Sequence, residues 1–95
     1  MKLDSDKIRR LVEYFRSLPI NQAFVFGSYA RGDADEQSDL DILLKVDRKS
    51  FDTRRLPRYR EALHAIVDLP VDLYLYHALP RSIWLEIRPG LLRIH

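Results

Sequence analysis

The chain reads as an α+β domain, a small mixed β-sheet of three or four strands flanked by helices. Three observations predict this. Short runs rich in Phe, Val, Ile, Leu and Tyr at residues 22–28, 40–46 and 71–77 carry strand chemistry. The segments between and before them repeat apolar residues at the three-to-four spacing of an amphipathic helix. Only the second and third strands are separated by a helix long enough for a crossover, so parallel and antiparallel pairs are expected in one sheet. With 95 residues, 46% hydrophobic and 32% charged, there is material for one core and not two, and residues 1–95 are read as a single domain.

Taken in order, Asp4 or Ser5 caps a first helix whose buried stripe is Ile8, Leu11, Val12, Phe15 and Leu18, and Pro19 stops it. The first strand, residues 22–28, ends at the turn signal Gly27-Ser28. A polar, acidic stretch from Tyr29 to Ser38 follows, too broken for a core element. Leu40 to Val46 is the second strand. After a polar loop, a helix from about Pro57 buries Leu56, Tyr59, Leu63, Ile66 and Val67, with the proline in its first turn. Beyond Pro70 the third strand alternates, Val71, Leu73 and Leu75 on one face and Asp72, Tyr74 and Tyr76 on the other. Pro80 opens a short last helix carrying Ile83, Trp84 and Ile87, with Trp84 expected in the core. Gly90 ends it, leaving residues 91–95 as an edge strand. Helices are expected on one side of the sheet.

Composition excludes several function classes. No apolar run approaches the roughly 20 residues of a membrane helix, and the charged N-terminus has no apolar segment behind it, so a cytoplasmic protein is expected. Cysteine is absent, which removes disulfides, thiolate zinc sites and thiol nucleophiles. His64, His77 and His95 have no partners at ligand spacing, so zinc is not expected. A net charge of +2 does not by itself argue for nucleic acid. Its distribution is uneven: acids crowd Asp33 to Asp41, and Arg48, Lys49, Arg54, Arg55, Arg58 and Arg60 follow, either as a solvated face or as a surface for an acidic partner or nucleic acid.

The candidate chemistry starts at Asp39 and Asp41. Two residues apart at the entry of a strand, they share one face, while Leu40, Ile42 and Leu44 turn into the core. Paired like charges are costly unless a cation lies between them or they share one proton; a hard divalent metal is the simplest compensation, and magnesium suits such oxygen ligands. If the second and third strands are neighbours, Asp72 joins the pair, and three carboxylates can hold two metal ions for in-line displacement at phosphorus. Gly27 lets backbone approach a phosphate and Ser28 adds a hydroxyl and an amide, with a helical turn through Tyr29, Ala30 and Arg31 presenting further amides. Arg31 is either a phosphate contact or a salt-bridge partner of Asp33 or Asp35. Ser38 is read as structural, Asp33, Asp35 and Glu36 as solvated, and Tyr29 as stacking on a base or packing.

Gly27-Ser28, Ala30-Arg31-Gly32, Ser38-Asp39-Leu40-Asp41 before an apolar strand, and Asp72 opening an alternating strand together resemble the minimal nucleotidyltransferase (MNT) family of the DNA polymerase beta superfamily. The resemblance runs from about Phe24 to the C-terminus. It implies that Gly27 and Ser28 hold nucleotide phosphates, beside which Arg31 is a candidate contact, and that Asp39, Asp41 and Asp72 are catalytic and bind two Mg2+ ions. It further implies ATP as donor, transfer of AMP to a hydroxyl, and a small helical HEPN toxin as partner, modified on tyrosine, so that the chain acts as an antitoxin. Two other expectations stand beside this one: a non-catalytic module that neutralises its partner by contact, and transfer to a small molecule such as an aminoglycoside. The oligomeric state is left open.

Overall fold

The computed structural model describes residues 3–95; Met1 and Lys2 lie outside the described residues. The elements run α1 (Ser5–Arg16), β1 (Ile20–Phe26), α2 (Ser28–Arg31), β2 (Leu40–Val46), α3 (Leu56–Val67), β3 (Val71–Leu75), α4 (Arg81–Ile87) and β4 (Leu92–Arg93). The sheet has the order β3-β2-β1-β4. β1 pairs antiparallel with both β2 and β4, and β2 pairs parallel with β3 across the α3 crossover.

The cap of α1 is Asp4, whose carboxylate accepts the Lys7 N–H at 2.8 Å, satisfying a donor that the first helical turn leaves unpaired. Leu11 and Phe15, four apart on one face, are fully buried. α3 buries Tyr59, Leu63 and Val67 by the same spacing. These helices close over Ala23, Val25, Leu40, Ile42, Leu44, Val71 and Leu75 to make the main core.

β2 is the central strand, and Ile42, Leu43 and Leu44 are at most 1% exposed. That explains its nearly continuous apolar run, because a strand covered on both faces need not alternate. Leu43 and Phe26 are buried outside the main cluster, on the face that also carries Asp41.

Several expectations are corrected. β1 spans Ile20–Phe26, two residues earlier than read, because Gly27 turns the chain into α2. β3 ends at Leu75, and Tyr76–Ala78 form a 3-10 turn in place of further strand. Trp84 is not a core residue. α4 buries no side chain fully, and the Trp84 ring lies edge-on to Tyr76 at 4.9 Å, with Lys45 Nζ 5.7 Å from its centre. Lys45 shares the Asp41 face of β2 by strand alternation, so α4 reaches the side of the sheet opposite α1 and α3, and the helices are not all on one side. The polar loops contribute two core residues that composition hid: Ala34 and Phe51 are buried, Phe51 against the Tyr59 ring at 5.5 Å. At the C-terminus the edge strand is shorter than read, Leu92–Arg93 in place of 91–95, and beyond it the His95 carbonyl accepts the Ala23 N–H at 3.0 Å.

Candidate active site

Register builds the site. In the parallel β2–β3 pair Asp41 stands opposite Asp72, and in the antiparallel β1–β2 pair it stands opposite Phe26, the residue before Gly27. The end of β1 and the starts of β2 and β3 therefore meet at one end of the sheet. Asp39 precedes β2 and shares the face of Asp41.

Gly27 has φ +75 and ψ −150, a conformation open essentially to glycine alone. A Cβ there would lie 2.5 Å from Asp41 Oδ2. The glycine thus does two things: it turns the strand into α2, and it leaves the space the Asp41 carboxylate occupies. Ser28 opens α2, whose turn is closed by the Ala30 and Arg31 N–H groups donating to the Gly27 carbonyl at 3.1 and 3.0 Å.

The carboxylates act on one another. Burial first, then the charges of Asp72 and Asp39, push Asp41 up to about 6, with Arg31 opposing. Asp72 is raised by burial, by the Asp39 charge and by a hydrogen bond with Asp39, with Arg60 opposing. Tyr74 is raised by burial and then by Asp41, Asp72 and Asp39. Asp41 and Asp72 therefore each respond to the charge of Asp39. Among the described residues no group of three His, Cys, Asp or Glu side chains is closed up as a ready metal cage. The donor set fits a hard divalent cation nonetheless: acidic oxygens whose charged forms are mutually destabilised gain most from a cation placed between them.

Arg31 makes the salt bridge to Asp33 that one of its two readings expects. Its Nε donates to Asp33 Oδ2 at 3.2 Å, and its charge also favours ionised Asp41. Ser38 is structural: its Oγ accepts the Asp35 N–H at 2.9 Å and closes the turn before β2. Asp33, Asp35 and Glu36 are exposed, and Tyr29 is buried in the main core, so it packs. In the basic stretch Arg54 and Arg55 pair with Asp52, at 3.0 and 3.9 Å.

Residue-level reading missed Arg60, His64 and Tyr74. Tyr74 carried a signal, since it lies two residues after Asp72 in an alternating strand and so shares its face. Arg60 and His64 carried none, because only the packing of α3 beside β3 brings them to the Asp72 end of the sheet, where a cleft of about 390 Å³ is lined by Arg60, Glu61, His64, Pro70, Val71 and Asp72.

An antiparallel strand pair ending in a glycine turn, beside a parallel strand that brings a third acid into register, makes an α+β domain with a group of carboxylates at one end of its sheet. Residues 8–92 match the family model of the nucleotidyltransferase domain, and the chain belongs to that family. It is similar to a Methanocaldococcus jannaschii protein carrying the provisional name protein adenylyltransferase, 44% identical over 55 residues, 52% of this chain and 54% of that protein. The chain thus spans about half the length of the curated relatives it matches. A solved structure provisionally described as a minimal nucleotidyltransferase superimposes with a TM-score of 0.83 at 23% identity, covering 97% of this chain and 95% of that one. A second is the tri-AMPylated Shewanella oneidensis HEPN toxin in complex with its MNT antitoxin, with a TM-score of 0.72, 16% identity, and 94% and 69% coverage. At these identities the two structures establish the fold, a mixed four-stranded sheet with flanking helices as the order of elements and the family resemblance implied.

Proposed function

We propose that this chain is a magnesium-dependent adenylyltransferase that moves AMP from ATP to a tyrosine hydroxyl of a HEPN-type partner and so acts as an antitoxin. One observation carries the reading: Asp41 stands in register beside Asp72 across a parallel pair, with Gly27 cleared for the Asp41 carboxylate. The similarity to protein adenylyltransferases and the fold shared with an MNT antitoxin bound to an AMPylated toxin support it.

In this reading Asp39, Asp41 and Asp72 hold two magnesium ions. When bound, magnesium neutralises phosphate charge and stabilises charge developing at the transferring phosphorus. The chain's own part is positioning. Gly27 allows backbone to come close to the triphosphate, Ser28 supplies a hydroxyl and an amide, and Arg31 adds a cation beside Asp41. Holding donor and acceptor in line at a charge-balanced site contributes most of the rate, because phosphoryl groups carry their own leaving chemistry.

The test is the double variant Asp39→Asn with Asp41→Asn, assayed with the partner, ATP and magnesium. Wild type should add the mass of one or more AMP groups to the partner, and the variant should bind the partner and add none. A variant that still neutralises its partner would replace catalysis with neutralisation by contact.

A further inference from the structure

The cleft beside Asp72 holds a histidine whose tautomer the structure determines. His64 Nδ1 lies 2.6 Å from the Leu69 carbonyl oxygen. A carbonyl only accepts, so the proton of that hydrogen bond resides on Nδ1. In the neutral ring Nε2 then carries a lone pair, and it has no hydrogen-bond partner among the described residues. The same segment is held by the Asp68 N–H donating to the His64 carbonyl at 2.7 Å, so the ring is fixed on the turn that leads from α3 into β3.

The lining of the cleft, to which His64 belongs, is mixed. Pro70 and Val71 supply an apolar wall, Arg60 a cation one helical turn before His64, and Asp72 the acid of the candidate centre. A volume of about 390 Å³ admits an aromatic side chain. Once Asp72 is committed to metal, its oxygens are poor final acceptors for a proton, whereas His64 is exposed and can release one to water.

We propose that this cleft receives the acceptor tyrosine and that His64 Nε2 takes the proton of its hydroxyl. This rests on the adenylyl-transfer reading above. The phenol oxygen forms the new bond to the α-phosphorus of ATP. The bond from that phosphorus to the bridging oxygen breaks, with its electron pair leaving on pyrophosphate. The phenol proton passes to Nε2 and then to solvent, and Arg60 faces the ring or the oxygen as charge builds on it.

The experiment uses the full chain and the variant His64→Asn, whose amide N–H can keep the bond to the Leu69 carbonyl while removing the Nε2 lone pair. Long-range 15N–1H spectra should show His64 protonated at Nδ1, and p-cresol, a mimic of the tyrosine side chain, should shift His64 Nε2 and the Val71 amide. With N-acetyltyrosinamide, ATP and magnesium, H64N should lower kcat about 100-fold or more. Its melting temperature and its affinity for Mg2+ with AMP-PNP should stay at the wild-type values. The reverse tautomer, no response to p-cresol, no transfer by wild type to the tyrosine amide, or H64N within threefold of wild type each overturns the assignment. If wild type fails to bind Mg2+ with AMP-PNP, the transferase reading itself fails, and the p-cresol spectra still decide whether the cleft takes a phenol.

Discussion

Replacing Gly27 with Ala tests the geometry that organises the site. Two costs arise. Backbone at φ +75 and ψ −150 disfavours any residue with a Cβ, at about 1–3 kcal/mol. The new methyl would also stand 2.5 Å from Asp41 Oδ2, so the carboxylate must turn away. A loss of about 2 kcal/mol corresponds to a fall in melting temperature of roughly 8–16 °C for a domain of this size. Turning Asp41 should weaken magnesium-dependent binding of AMP-PNP by about 10–100-fold, the range for losing the support of a metal ligand. The control is Gly32→Ala. Gly32 also has positive φ, +85, but no atom lies within 4 Å of its would-be Cβ. That variant should lose about 1 kcal/mol, the left-handed backbone cost alone, and bind nucleotide as wild type does. Calorimetric titration and thermal melts of both variants separate strain from displacement. If G27A binds AMP-PNP as tightly as G32A, Gly27 does not position Asp41 and the reasoning is refuted.

The remaining predictions concern charge and packing. Asp41 is raised from 3.8 to about 6, so the folded chain holds its proton more tightly than the unfolded chain does, and the metal-free protein should gain stability as pH falls through about 6 toward 4. Because the group is partly solvated, the gain is only ~1 kcal/mol, and Asp41→Asn should remove this slope in melts taken from pH 4 to 8. If, as proposed, Asp41 holds magnesium, protons compete with it for that carboxylate, and magnesium affinity should decline below about pH 6 in titration calorimetry. The Tyr29 hydroxyl is buried without a hydrogen-bond partner among the described residues, so Tyr29→Phe should leave the melting temperature unchanged or raise it, by up to ~1 kcal/mol of stability. Leu63, fully buried, should cost about 2–5 kcal/mol on change to Ala, measured by urea unfolding, without any specific effect on nucleotide affinity in the folded fraction.

Local rules read from the sequence alone determined much of this protein. Alternation put Asp39 and Asp41 on one face and Ile42 and Leu44 on the other, turn chemistry marked Gly27, and helical spacing picked out Leu11, Phe15, Leu63 and Val67, because each of these depends on neighbours within a few residues. Tertiary structure decided the rest. That Asp72 stands beside Asp41 follows from parallel pairing of strands separated by α3, and that Trp84 comes to lie over Lys45 follows from where α4 lands after β3. Phe51 and Ala34 sit in stretches whose polar composition hides them, yet the core closes over both. Arg60 and His64 look like ordinary polar residues of a packing helix, and they join the acids because α3 and β3 are held side by side by contacts distant in the chain, which no local pattern encodes.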